Sequence, residues 1–219
     1  VFSKVSGIKD GDISKYWSEI KELIDEDVFV IKDAPFIEST DENPIKPYIS
    51  DFYKNRRLIK EKLKSHKQYQ YGFLREETQD YIIEKLMLLI EKRTIKGTFE
   101  NGTEYTIIST VLNIKKDILR KIQNFDFTKK NPKIIYINTT EKIISLEDSI
   151  LMAFLNLIGF DIVFFVPTGY MCVEKYFNNS IIEEHQLGEY VYDLRIPNFA
   201  TISSTIRHSW RDIIFKRGR

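Results

Sequence analysis

Two short strings in this sequence combine residue types suited to holding a small molecule. The first, Pro167-Thr168-Gly169-Tyr170, follows the apolar run Ile162-Val163-Phe164-Phe165-Val166. A threonine hydroxyl and free backbone N–H groups are natural partners for a phosphate or a sugar, and Gly169 would let a ligand approach the main chain. A helix expected from about Met171 would aim its positive end at an anion. Pro and Gly equally set the dihedrals of an ordinary strand-to-helix turn, so the string also has a plain structural reading. The second string is His185-Gln186-Leu187-Gly188-Glu189-Tyr190. On a helix, His185 and Glu189 would place their Cβ atoms ~6 Å apart; in a strand the separation would be about twice that. Gly188, followed by Val191, Tyr192 and Leu194, favours extended backbone entering an edge strand, which weakens a His185–Glu189 pair. His66 lies in a basic helix end and His208 in a basic tail, which leaves His185 as the histidine best placed for chemistry.

Several chemistries lack their residues. The chain has no Walker A string, no G-x-G-x-x-G, no G-x-S-x-G and no C-x-x-C. With one cysteine, Cys172, and scattered histidines, neither an internal disulfide nor a zinc site is expected. Cys172 near a helix start would have a lowered pKa, yet between Tyr170, Met171 and Val173 it reads as buried filler. Glu76-Glu77 and Glu183-Glu184 read as surface pairs, so no catalytic residue, metal ligand or cofactor is assigned. Apolar residues make up 42% and charged residues 30%, an ordinary globular balance, with a net charge of +1. No apolar run approaches the ~20 residues of a membrane helix, and the expected compartment is the cytoplasm. The basic excess between Arg195 and Arg219 carries no recognition motif, which weighs against nucleic acid and for a solvated tail. A first residue of Val1 suggests part of a longer protein.

These strings need elements to position them. Ile13 to Ile24 has the spacing of an amphipathic helix, and Val28 to Ile31 is a short apolar run. Asp33 to Pro47, with three prolines, reads as a loop. Ile49, Phe52, Ile59 and Leu63 recur at helical spacing, as do Ile82, Leu86, Leu89 and Ile90 after Glu76-Glu77. Ile108 to Ile122 predicts another helix, ending near Phe125. Ile134 to Ile137 reads as a strand covered on both faces. Ser145-Leu146-Glu147-Asp148 approximates a capping box, Ile150, Phe154, Leu157 and Ile158 share a stripe, and Gly159 suits a helix end. With Ile162 to Val166 as the next strand, this is a βαβ unit whose strands pair in parallel. The fold class is α/β: a Rossmann-like, partly parallel sheet with flanking helices and a helix-rich N-terminal half. The expected organisation is a helix-rich α/β portion over 1–130, continuous with the following sheet, then a βαβ core over 131–200 carrying both strings. A basic tail over 201–219 is expected to stay off the core.

In parallel sheets ligands sit outside the carboxyl ends of the strands. Two neighbouring loops, Asn138-Thr139-Thr140 and Pro167-Thr168-Gly169-Tyr170, satisfy that rule. The expected site therefore has Thr168, Gly169 and Tyr170 holding the ligand, Asn138 and Thr139 adding hydrogen bonds, and His185 or Glu189 approaching from the next segment.

The stretch from Asp161 to Tyr170, followed by Glu174, His185 to Tyr190 and then Leu194-x-Ile196-Pro197, resembles the YceG-like family of bacterial proteins. The resemblance is confined to residues 161–197, and the Lys-, Ile- and Asn-rich composition suits the AT-rich genomes in which that family is common. Family members are longer and are encoded beside tellurite-resistance and general stress genes, which implies a stress setting; the resemblance brings no catalytic residues. Two functions follow as expectations. One is binding of a nucleotide or other phosphate- or sugar-bearing metabolite, as part of a transferase. The other is a non-catalytic assembly module of a stress-response complex. A polar pocket at the strand ends favours the first and an exposed apolar patch the second. Burial of Thr168 with bonds to its own turn alone would count against the first.

Overall fold

The computed structural model describes residues 1–33, 35–36, 42–178 and 181–201. The expected tail beyond residue 201, with His208 and Trp210, lies outside them. In chain order the elements are β1 (Phe2–Ser6), α1 (Ile13–Leu23), β2 (Val28–Lys32), α2 (Ile49–Phe52), β3 (Tyr53–Lys54), β4 (Arg57–Leu58), α3 (Lys60–Lys64) and α4 (Glu76–Glu91). They continue with α5 (Thr103–Val111), α6 (Lys116–Asn124), β5 (Lys133–Ile137), α7 (Leu146–Ile158), β6 (Asp161–Val166) and β7 (Glu183–Gln186). Five strands form one parallel sheet in the order β2-β5-β6-β1-β7, and β3 and β4 form a separate antiparallel hairpin.

The βαβ unit forms as its residues dictate. Ile134 faces Ile162 and Tyr136 faces Phe164 across the parallel pair. The Ser145 side chain accepts from the Asp148 N–H at the start of α7 (3.0 Å), and Gly159, at φ 124°, ends it. Asp148 spends its carboxylate elsewhere, accepting the Phe36 N–H at 3.0 Å. Strand residues alternate between two cores. Ile134, Tyr136, Ile162, Phe164 and Val166 pack under α4 to α7, while Val5, Ile135, Ile137, Val163 and Phe165 pack under α1 through Tyr16, Trp17, Ile20 and Leu23. The chain runs from β1 to the far edge at β2, then steps back through β5 and β6. That reversal of direction, with like-handed crossovers, sends α1 and the later helices to opposite faces.

Four local features differ from the sequence pattern. The spacing of Ile49, Phe52, Ile59 and Leu63 is interrupted by the β3–β4 hairpin, whose turn residues Asn55 and Arg56 adopt φ of 51° and 60°. The helix expected to end near Phe125 is two helices. Buried Tyr71 inserts between them: its hydroxyl donates to the Val111 carbonyl and accepts the Ile114 N–H, replacing bonds that a continuous helix would make. No helix follows Gly169. The segment from Met171 is drawn across the sheet so that Cys172, Val173 and Phe177 are buried, and it is tied to the end of α4 by Lys96 N–H to Tyr176 O (2.8 Å) and Asn178 N–H to Thr94 O (2.8 Å). Finally, Phe2-Ser3-Lys4-Val5-Ser6, which carries no strong strand signal, is an interior strand flanked by β6 and β7. No helix among the described residues is long and apolar enough to cross a membrane.

Candidate functional site

The two strings singled out by their chemistry do meet, but they fill the space between them. The Thr168 side chain is 4% exposed and its hydroxyl accepts the Tyr170 N–H of its own turn at 3.3 Å. Gly169 has a φ of 68°, and any Cβ placed on it would collide with the Tyr190 ring. The Val191 N–H donates to the Pro167 carbonyl at 3.0 Å, locking the segments together. On the other side of Gly188, the Ile8 N–H donates to the Glu189 carbonyl at 2.8 Å, and side chains on Gly7 or Gly188 would overlap the opposing backbone. Gly7, Gly169 and Gly188 therefore allow three loops to close against one another at the carboxyl ends of β6, β1 and β7. The Thr168 hydroxyl is bonded within its own turn, and Gly169 lies against the Tyr190 ring. His185, opposite Val5, faces the α1 side of the sheet with Glu183 Oε1 3.6 Å from its Nε2.

The open space lies nearer the other edge. A cavity of about 520 Å³ opens beside the carboxyl ends of β2 and β5. Asp33 and Asn138, which follow those strands, form part of one wall together with Lys142 and Ser145 to Asp148 at the start of α7. The facing wall comes from Thr106, Ser109, Thr110 and Asn113 on and just after α5, with Asn43 and Lys46 from the preceding connection. Of the expected residues, Asn138 lines this cavity. Thr139 supports it, Tyr170 is exposed and does not line it, and the strand order puts His185 and Glu189 at the opposite edge of the sheet.

Hydrogen bonds fix the strand-end wall. Asp33 holds a left-handed φ of 46° and takes both the N–H (2.6 Å) and the hydroxyl (2.7 Å) of Thr139. Asn138 accepts from the Thr140 N–H and hydroxyl, each at 3.0 Å, and donates to the Lys142 carbonyl at 2.8 Å. Burial raises the Tyr136 hydroxyl's pKa, and the nearby Asp148, Cys172 and Asp33 add to the shift, so it stays protonated. Two acids of the lining are thus engaged with the protein: Asp33 with Thr139, and Asp148 with the Phe36 amide. Lys46 and Lys142 have no carboxylate within ion-pair distance among the described residues. Asn43 donates to the Ser109 carbonyl at 3.0 Å, but its buried Oδ1 has no hydrogen-bond partner among them. The cavity thus presents two lysines and several hydroxyls beside the carboxylates of Asp33, Glu147 and Asp148. No cluster of three or more metal-ligating side chains forms among the described residues.

Sequence reasoning missed the α5 wall, although it left a trace. Thr106, Ser109, Thr110 and Asn113 repeat at i, i+3, i+4 and i+7, a polar stripe beside the buried Ile107, Ile108 and Val111 of α5. It also missed Lys4, which lies fully buried in β1 with its ammonium 2.7 Å from Glu174 and 3.2 Å from Glu184. Burial opposes the Lys4 charge, but the two carboxylates outweigh it and hold its pKa above the ordinary value. Cys172 behaves as expected of buried filler: burial first, then Glu174, pushes its thiol up to about 12.

Comparisons with known proteins agree on kinship. A family model described as the YceG domain matches residues 1–209. The chain is 23% identical over 197 residues to the Uncharacterized protein YceG of Bacillus subtilis (strain 168), an alignment covering 88% of this chain and 36% of that protein. The chain thus spans little more than a third of the relative's length. No solved structure matches. With a match over nearly its whole length, the chain belongs to the YceG domain family.

Proposed function

We propose that this domain binds a phosphate- or sugar-bearing metabolite in the cavity at the carboxyl ends of β2 and β5. The observation that carries the reading is the cavity's lining: about 520 Å³ walled by Lys46, Lys142, Asn43, Ser109 and Thr110, with Asp33 and Asp148 already engaged by the protein. Its size and few polar contacts suit a metabolite-sized ligand. A cytoplasmic role in the tellurite and stress setting, as part of a transferase, belongs to the same proposal. A transferase needs a group within reach of the acceptor proton, and Glu147, which lines the cavity, is the carboxylate to test.

A thermal-shift screen with sugar phosphates, nucleotides and nucleotide sugars tests this directly, since a ligand at ~100 times its Kd adds ~2.7 kcal/mol. Thr106→Phe should fill the cavity and abolish the shift. Lys142→Gln, at an exposed position, should reduce it, and Thr168→Val should not. A shift lost on Thr168→Val but kept in Thr106→Phe would move the site to the Pro167–Tyr170 loop, and no shift from any compound would remove the reading.

One observation favours the assembly reading. Tyr170, Met171, Tyr190 and Tyr192 are all exposed around the closed loops, where a protein partner could bury them. With Thr168 buried in its own turn, the Pro167–Tyr170 loop fits that role better than the role of ligand holder.

A further inference from the structure

Glycine is the usual residue where a chain must turn left-handed, and two such places here carry arginine instead. Asn55 and Arg56 join β3 to β4 with φ of 51° and 60°, the signs of a tight hairpin turn whose second position favours Gly. Arg93 follows Lys92, the C-cap of α4, with a φ of 48°, again where Gly is the common choice. The two arginines are distant in the chain, yet both guanidinium groups lie over one ring. Arg56 is 4.4 Å and Arg93 5.5 Å from the centroid of Phe99. Phe99 is itself left-handed, at φ 67°, which is uncommon for a bulky side chain. Its N–H donates to the Glu104 carboxylate at 2.9 Å, which anchors the ring's backbone.

The charges are as unfavourable here as the dihedrals. Lys54 and Arg57 are register partners across the hairpin, so two cations stand opposite each other beside Arg56. Lys92 adjoins Arg93, and all five side chains belong to exposed residues. Among the described residues none of the five has a carboxylate within ion-pair distance. Strained backbone and crowded like charge in one place are characteristic of functional sites. Contact with the Phe99 face restrains each guanidinium, and its N–H fork stays open to a planar, paired contact with an oxyanion. We propose that Arg56 and Arg93, mounted on Phe99, clamp a terminal phosphoryl group, with Lys54, Arg57 and Lys92 adding to the local field. Two guanidinium groups suit a dianion better than a singly charged carboxylate. None of these residues lines the cavity, so the clamp stands apart from the reading of that site.

The test is a calorimetric titration with inorganic pyrophosphate at constant ionic strength, using wild type and Arg56→Gly/Arg93→Gly. Glycine suits both left-handed positions, so this variant should melt close to wild type while binding about tenfold or more weakly. Arg56→Lys/Arg93→Lys keeps the charge and loses the fork, and should also bind more weakly than wild type. Thr106→Phe, which fills the cavity, should leave this binding unchanged. No binding by wild type, or equal binding by the glycine variant, overturns the clamp. Equal binding by the lysine variant reduces it to unspecific charge and overturns it too. Binding lost in Thr106→Phe but kept in the glycine variant moves the anion to the cavity. A duplex oligonucleotide that binds where pyrophosphate does not, and is released by the glycine variant, replaces the terminal phosphoryl group with a phosphodiester backbone and overturns the proposal.

Discussion

Lys4 is the residue whose environment demands most explanation. Its side chain is 1% exposed, while those of Glu174 and Glu184 are 26% and 47% exposed. The three do not contribute symmetrically. Glu174→Gln together with Glu184→Gln would strand a buried cation, at a cost of about 3–5 kcal/mol. Lys4→Met should cost less, because the thioether chain fills much of the same space and the carboxylates can turn to water. Chemical denaturation of the two variants checks the order, and a Lys4→Met protein less stable than the double glutamine variant would refute it. The pH dependence follows from the raised Lys4 pKa. Its stabilisation is fully present below the unfolded lysine value of ~10.4 and is lost as pH climbs through the higher folded value. Lys4→Met should therefore lose less stability than wild type above that point. At this scale the site was partly legible: Asn138 and Thr139 could be found because they follow a recognisable strand. Asp33 lay in what read only as a loop, and Lys46 and Ser109 depend on how α5 docks, which no local pattern encodes.

Among elements, the glycine contacts turn loops into a joint. Gly188 meets the Ile8 carbonyl and the Lys9 Cα, backbone atoms that cannot swing aside, whereas Gly169 meets the movable ring of Tyr190. Gly188→Ala should therefore cost about 1–3 kcal/mol as an overpacking change with no side-chain remedy. Gly169→Ala should be partly rescued by Tyr190→Ala, leaving a left-handed strain of about 1–2 kcal/mol. Gly72→Ala is the control, since nothing lies within 4 Å of its Cβ position. Melting curves for the set would refute the joint if Gly188→Ala behaved like Gly72→Ala. The strings around Gly169 and Gly188 were visible in the sequence as special, and ligand contact and close packing both call for glycine; only the position of Tyr190 and Ile8 separates the two. The Tyr71 hydroxyl between α5 and α6 was hidden for a similar reason. Its partners at Val111 and Ile114 lie far along the chain, and the apolar spacing runs smoothly through the break.

For the whole molecule, the α/β class and the β5–α7–β6 unit were readable because each strand is a short β-branched run and the helix carries its own start and stop. The polar chain of β1 hid its place, since a strand containing Ser3, Lys4 and Ser6 becomes interior only once Glu174 and Glu184 arrive to meet the lysine. That placement governs how the protein can assemble. Phe2 pairs with Ile162 and Ser3 with Glu183, so the first strand of the chain completes the sheet only after nearly all the rest has formed. Contacts this distant in sequence carry a loop-closure cost before they return any stability, and such topologies fold slowly. In pulse-labelled hydrogen exchange during refolding, amides of β5 and β6 should become protected before those of β1; simultaneous protection would show that the N-terminal strand nucleates with them. During synthesis the same geometry leaves β1 unpaired until β6 and β7 have emerged. A nascent chain in that state is open to mispairing at the seam that later holds the Lys4 cluster, and a chaperone would have most to protect there.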